Sequence, residues 1–322
     1  MKPIGGFFEL ELQKGGSLYH DSAIALSTGR ACLNLTLQEL KPTKVYLPFF
    51  CCNAVYEPLD LLGIEYQFYE INLKLELEDN IKLKDGELLI YCDFYGLKSS
   101  YVDSLISIYK DRIVIDNTHN YFHKNYENNY SFTSARKYFG VPDGAFLYTP
   151  SNKINNQDFE RNTAVSISHN YFRLIGEQSK GYNAYTKYEE TLNSEVKSIS
   201  LLSERLLKSV NYKEVRKQRI ENFSYLHNAF KENNELNFSD SHSSPFCYPL
   251  LLKDTINRKE IYEKSLFVPT LWGDVLVRNG NENYKNSTRF SRDVLPLPID
   301  HRYSLEDMEY IVTIIKRLID EK

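Results

Sequence analysis

Residues 112–148 read RIVIDNTHNYFHKNYENNYSFTSARKYFGVPDGAFLY, and this stretch carries the reading of the fold. Three runs in it, Arg112–Asp116, Tyr130–Ser134 and Gly144–Tyr148, are rich in Val, Ile, Tyr and Phe and are bounded by Asp, Asn, Pro or Gly. That composition and punctuation predict three short strands. The first ends in Asp116. An acid at the end of a central parallel strand faces the ligand crevice, whereas an acid in a turn merely caps it; spacing alone leaves both open. Lys137 falls between the second and third runs, beside Tyr138 and Phe139. In a partly apolar pocket a lysine amine is less readily charged and more nucleophilic. On an exposed loop it is one lysine among many.

Upstream, Lys44–Phe49, Glu65–Ile71 and Glu87–Phe94 have the same strand character, and Ala31–Leu40, Ala54–Leu62 and Tyr101–Tyr109 read as helices. Strands alternating with helices predict a mostly parallel sheet with helices on both faces, an α/β fold. Ser27, Thr28 and Gly29 precede the first helix, where free N–H groups and the helix dipole favour a phosphate. Any capped helix shows the same pattern. Downstream, helical spacing runs from about Tyr185 to Leu207 and from Val215 to Lys231. An apolar run Pro245–Leu252, a helical stretch Arg258–Lys264 and a last helix follow, the last with Ser304 as N-cap and Asp307 three residues on. The expected division is a large domain over 1–200 and a smaller C-terminal α+β domain over 201–322.

The net charge of -4 argues against a general nucleic-acid binder, which needs basic patches. No apolar run approaches the roughly 20 residues of a bilayer span, and Met1–Leu12 lacks a leader pattern. No membrane association and a cytoplasmic location are therefore expected. The five cysteines, Cys32, Cys51, Cys52, Cys92 and Cys247, read as free thiols rather than a disulfide framework, and no metal site is expected.

Taken together, three segments resemble the DegT-type sugar aminotransferases, which are fold-type I enzymes dependent on pyridoxal 5'-phosphate (PLP). Leu26-Ser-Thr-Gly-Arg-Ala-Cys-Leu33 looks like the family motif that opens the first large-domain helix. Ile115-Asp-Asn-Thr-His119 stands where the family has its strand-end "EDAAQ". Ser131–Tyr148 is similar in order to the lysine motif, Gly-rich turn and strand. Gly181-Tyr182-Asn183, Arg219–Asn222 and Leu297–Tyr303 are similar to three later family segments. The resemblance covers most of the chain.

It implies the following roles. Lys137 holds PLP covalently and then serves as the proton-transferring base. Asp116 keeps the cofactor's ring nitrogen protonated, and His119, in place of the family's Gln, lies by its 3-oxygen. Gly29, Arg30 and Ser134 bind its phosphate, Asn183 reaches the phosphate in a neighbouring subunit of a homodimer, and Phe50 stacks on the ring. The implied substrates are a nucleotide-linked sugar bearing a keto group and an amino donor, glutamate, in polysaccharide or glycoconjugate biosynthesis. Departures touch substrate and dimer contacts more than the cofactor core: the chain is shorter than typical members, Pro48–Val55 corresponds to a longer stretch, the second serine of the lysine motif is shifted, Arg30 replaces a Thr, and the Arg and Met after the family's Asn are missing after Asn183. A non-catalytic or diverged PLP-fold binding protein and a PLP-dependent sugar dehydratase remain as alternatives, although related dehydratases carry His at the lysine position. Trp272, His123, Arg289 and Arg292 are weaker candidates for the substrate pocket.

Overall fold

Leu88 and Ile90 are buried in one apolar cluster, and their neighbours Leu89 and Tyr91 in another. Side chains alternate along a strand, so this strand is covered on both faces. It is β4 (Glu87–Cys92). β5 (Ile113–Asp116) repeats the pattern, with Val114 on one side and Ile113 and Ile115 on the other. The structure, a computed structural model, describes residues 8, 10–12, 15–150, 159–238 and 244–321.

The remaining strands of the sheet are β1 (Ile24–Leu26), β2 (Lys44–Pro48), β3 (Glu65–Tyr69), β6 (Tyr130–Ser134) and β7 (Ala145–Tyr148). Their order is β1-β7-β6-β5-β4-β2-β3. β3, β2, β4, β5 and β6 are mutually parallel, and β7 alone runs against its neighbours β6 and β1. Helices α1 (Gly29–Leu40) and α2 (Asn53–Leu62) cover one face with Leu33, Leu37, Val55 and Leu59. Helix α3 (Ser99–Tyr109) covers the other with Val102, Leu105 and Tyr109. The expected mostly parallel sheet with helices on both faces is what forms, and all six expected strands are present.

Two local expectations need correction. The strand β1 went unread, being three residues long. The stretch Tyr185–Leu207 is not one helix: α4 (Ser168–Leu174) and α5 (Gln178–Glu189) form a pair, α6 (Leu201–Lys208) follows, and residues 190–200 between α5 and α6 are a turn and an irregular, largely non-helical segment. The end of this segment, 197–199, runs along β1. Leu26 bridges Ser198, Ser27 N–H donates to the Lys197 carbonyl at 2.9 Å, and Asn34 Nδ2 donates to the Ser194 carbonyl at 2.7 Å. Covering the open edge of β1 outweighs helical spacing here.

In the C-terminal half, α7 (Tyr212–Phe230), the hairpin of β8 (Tyr248–Leu250) with β9 (Leu295–Leu297), α8 (Arg258–Glu263) and α10 (Leu305–Asp320) enclose a separate apolar core, while Phe290 of α9 (Lys285–Asp293) packs into the core beneath the main sheet. Ser304 caps α10 in a reciprocal box with Asp307, as read from the sequence. Arg219 and Asn222 on α7 are fully buried and act as backbone ties. Arg219 donates to the carbonyls of Pro245 (3.0 Å) and Phe246 (2.8 Å), and Asn222 to those of Ile299 (3.2 Å) and Tyr303 (3.0 Å). Among the described residues no helix is long and apolar enough to cross a membrane.

Candidate active site

Strand register brings the sequence candidates to one edge. Cys92 pairs with Asp116, Asp116 with Phe132, Ser134 with Ala145, and Ala145 with Leu26. The carboxyl ends of β4, β5, β6 and β1 therefore meet. The segments that follow them, 93–96, 116–120, 134–137 and 27–30, share the crevice where α/β sheets bind ligands. Hydrogen bonds fasten these segments to each other. Asn117 N–H donates to the Phe132 carbonyl at 2.7 Å, Thr133 Oγ1 to the Asn117 carbonyl at 2.8 Å, and Gly144 N–H to the Ser27 carbonyl at 2.7 Å.

Asp116 closes β5 with its side chain buried, and Thr118 N–H donates to its Oδ1 at 2.9 Å. Burial pushes its carboxyl up to about 6, against the opposing pull of the Thr118 hydrogen bonds and the Lys137 charge. Lys137 ends a short 3-10 turn, Ala135–Lys137, directly after β6. Its side chain is exposed, contrary to the expected apolar pocket. The reason is local: Tyr138 and Phe139 turn inward and are buried, which leaves Lys137 on the open side. Its charge nevertheless acts on Asp116, His119, Cys52 and Glu189, so it overlooks the same crevice.

Gly29 and Arg30 open α1, whose N-cap Thr28 accepts from Ala31 N–H at 3.0 Å and donates to the Asn193 carbonyl at 3.0 Å. Gly29 lies against Phe132 and Thr118. The N-terminus of α1 thus sits beside the loop that carries Asp116. The Arg30 guanidinium pairs with Glu57 at 2.8 Å. Ser134 is buried at the end of β6.

His119 is buried, and its ring lies parallel to those of Phe246 (centroids 4.4 Å apart, 8°) and Trp272 (5.2 Å, 2°). Burial and the nearby Lys137 charge hold its imidazole well below the usual range, so it is neutral. Phe50 is not brought to the open crevice. It is fully enclosed among Trp272 (4.4 Å), Phe94 (5.7 Å) and Phe290 (5.6 Å). Asn183 lies away on the exposed face of α5, between the exposed Tyr182 and Tyr185. Of the weaker candidates, Arg289 pairs with Glu235, Arg292 with Asp293, and His123 stacks on Tyr126.

Several neighbours of the site went unread in the sequence. Asp93 follows β4 and is fully buried, holding Lys98 N–H (2.7 Å), Ser99 Oγ (3.1 Å) and Asn120 Nδ2 (2.7 Å). Desolvation raises its carboxyl as well. The signal available was an acid at a strand end two residues before Tyr95-Gly96. Arg136 pairs with Glu189 at the end of α5, next to Lys137 in sequence. Cys52, a half-buried free thiol raised by burial, feels Lys137, Asp116 and Arg30 together; the other four cysteines are free and buried.

No protein-family model and no curated protein matches the sequence. Solved structures do match. The sugar aminotransferase CalS13 from Micromonospora echinospora superposes with a TM-score of 0.63 at 13% identity, over 93% of this chain and 88% of that one. A DegT DnrJ EryC1 StrS aminotransferase from Brucella abortus gives 0.59 at 16% identity, over 91% and 85%. GDP-4-keto-6-deoxy-D-mannose-3-dehydratase from E. coli, with bound hydrated PLP, gives 0.63 at 14% identity, over 91% and 87%. The chain therefore has the fold of the sugar aminotransferases, the fold-type I α/β architecture.

Proposed function

We propose that this fold serves a PLP-dependent aminotransferase with Lys137 as the cofactor-bearing residue. The observation that carries the reading is the meeting, at one sheet edge, of an accessible lysine amine, a buried carboxyl and a helix N-terminus. That donor set fits PLP, which offers an aldehyde, a basic ring nitrogen and a phosphate. When bound, PLP supplies an electron sink for the carbon that gains or loses the amino group. Asp116 would face the ring nitrogen and, ionised, would hold a proton there; such a charge-assisted bond contributes about 1.5–3 kcal/mol. Gly29, Arg30 and Ser134 bind the phosphate, favoured by the free N–H groups of α1. Lys137 would hold the cofactor and, once free, its amine would be the base that moves a proton, a role commonly worth about 10²–10⁴-fold in rate.

The substrate is proposed as a keto group on a nucleotide-linked sugar, with glutamate as amino donor, in the cytoplasmic synthesis of a polysaccharide or glycoconjugate. This rests on the company the fold keeps and on the resemblance of the motifs. The pair α4 and α5 exposes Tyr171, Leu174, Ile175, Tyr182 and Tyr185, an apolar face that suits a second copy of the chain and includes Asn183. A homodimer with Asn183 at the partner's phosphate is the corresponding assembly.

Borohydride reduction of the PLP-loaded protein tests the assignment. The cofactor mass is expected on the peptide containing Lys137, with a visible absorption band that Lys137→Ala lacks. Glutamate alone is expected to bleach the band and release 2-oxoglutarate. A protein that stays colourless with PLP, with an unchanged melting temperature, is instead a binding protein without this chemistry. The likeness to a sugar dehydratase keeps one other enzymatic reading: release of a deoxy keto sugar without amino transfer marks it.

A further inference from the structure

The turn after β4 presses on His119 from one side. Tyr95 has φ 60°, in the left-handed region that a bulky residue occupies only when its surroundings force it there. Gly96 follows with φ 78°, and a Cβ added to it would overlap the carbonyl oxygen of His119. The turn is anchored at its start by the buried Asp93 and at its middle by Phe246 N–H, which donates to the Tyr95 carbonyl at 2.9 Å. In this arrangement Tyr95 N–H donates to Nδ1 of His119 at 3.3 Å.

The imidazole is also held in orientation. Its ring lies parallel to Phe246 and Trp272, and Tyr138 Oη donates to the His119 carbonyl at 2.6 Å. A nitrogen that accepts a hydrogen bond carries a lone pair, so in the neutral ring the proton is on the other nitrogen. Nε2 has no hydrogen-bond partner among the described residues, and Lys137 is the charged group that bears on the ring.

We propose that the Tyr95 main-chain N–H fixes the tautomer of His119 and so holds its Nε2–H as a standing hydrogen-bond donor for an anionic oxygen in the crevice. Tyr95 is a positioning residue that acts through its backbone. A His at this position otherwise has two neutral forms, one of which would present a lone pair and repel such an oxygen. The identity of the acceptor, the ring oxygen of PLP, rests on the functional reading above; the tautomer does not.

Long-range 1H–15N correlation spectra of histidine-labelled, cofactor-free protein test the tautomer, with the His119→Gln spectrum identifying the resonances. Between about pH 6 and 8, Nε2 is expected to be protonated and Nδ1 not. A proton on Nδ1, or on both nitrogens, overturns the proposal. PLP titration of two variants tests the donor. His119→Phe keeps an aromatic ring in the stack without a donor and is expected to weaken PLP about tenfold. His119→Gln keeps an amide donor and is expected to stay within about threefold of the wild type. Equal losses in both overturn the donor role. Wild-type protein that binds no PLP would overturn the cofactor reading, while the spectra still decide the tautomer.

Discussion

The main-chain N–H of Asp93 donates to the carbonyl of Asp116 at 3.0 Å, so two buried acids close neighbouring parallel strands. Both are raised by burial, and the charge of Asp93 raises Asp116 further. Among the described residues Asp93 accepts from three donors, the Lys98 main-chain N–H and the side chains of Ser99 and Asn120, whereas Asp116 is answered by Thr118 alone. Asp116 is thus the acid with the fewer hydrogen-bond donors among the described residues.

A stability profile follows from that difference. An acid raised from 3.8 to about 6 in the folded chain binds its proton more tightly there than when unfolded. Stability contributed by this group is present below about pH 4 and is lost as pH rises through about 6. The loss is up to about 3 kcal/mol. Asp116→Asn, which keeps an acceptor for Thr118, is expected to make the cofactor-free protein more stable at pH 7.5. The gain should shrink toward zero near pH 4, as read by urea melts across pH. The same variant should bind PLP more weakly, so stability and ligand affinity move in opposite directions.

Gly96→Ala is expected to cost at least about 2 kcal/mol, because it adds an overlap with the His119 carbonyl to the ordinary strain of a left-handed residue. Gly176→Ala provides the comparison. Its φ is 82°, but an added Cβ meets nothing within 4 Å, so only about 1 kcal/mol is expected. Equal effects in thermal melts would remove the turn's close approach as the cause.

Arg219→Met keeps the apolar stem but strips the donors from the Pro245 and Phe246 carbonyls. Leaving those groups unpaired in a buried site is expected to cost about 3 kcal/mol. Because Phe246 lies against His119, PLP affinity should fall as well. Wild-type affinity in a destabilised Arg219→Met protein would show that the Phe246 wall is dispensable.

Tyr182→Glu places a charge on the exposed face of α5. On the proposed homodimer, light scattering is expected to show a protein of half the wild-type mass that retains less PLP through gel filtration. A mass unaltered by the substitution would remove this face from the proposed subunit contact.

The sequence reading succeeded where one element carries its own signal. The runs of β4 and β5 are apolar on both faces, and Ser304 with Asp307 announces α10. Asp116, Ser134 and the start of α1 were legible because strand ends point to one edge. It failed where a distant partner decides. The strand β1 exists because β7 pairs with it, and residues 190–200 stay largely non-helical because β1 needs cover. Lys137 is exposed because Tyr138 and Phe139 claim the interior, and Phe50 is enclosed because Trp272 and Phe290 arrive from the far end of the chain. The wall of His119, Phe246 and Trp272 has no local pattern, since its members come from three separate segments.

Trp272 is the single tryptophan of the chain, and it lies parallel to His119 beside the crevice. The molecule therefore carries one indole among its 25 tyrosines, selectable by excitation at the red edge and placed where an absorbing ligand would quench it by energy transfer. Occupancy of the crevice can be followed in real time in unlabelled protein, with no other indole emission to subtract.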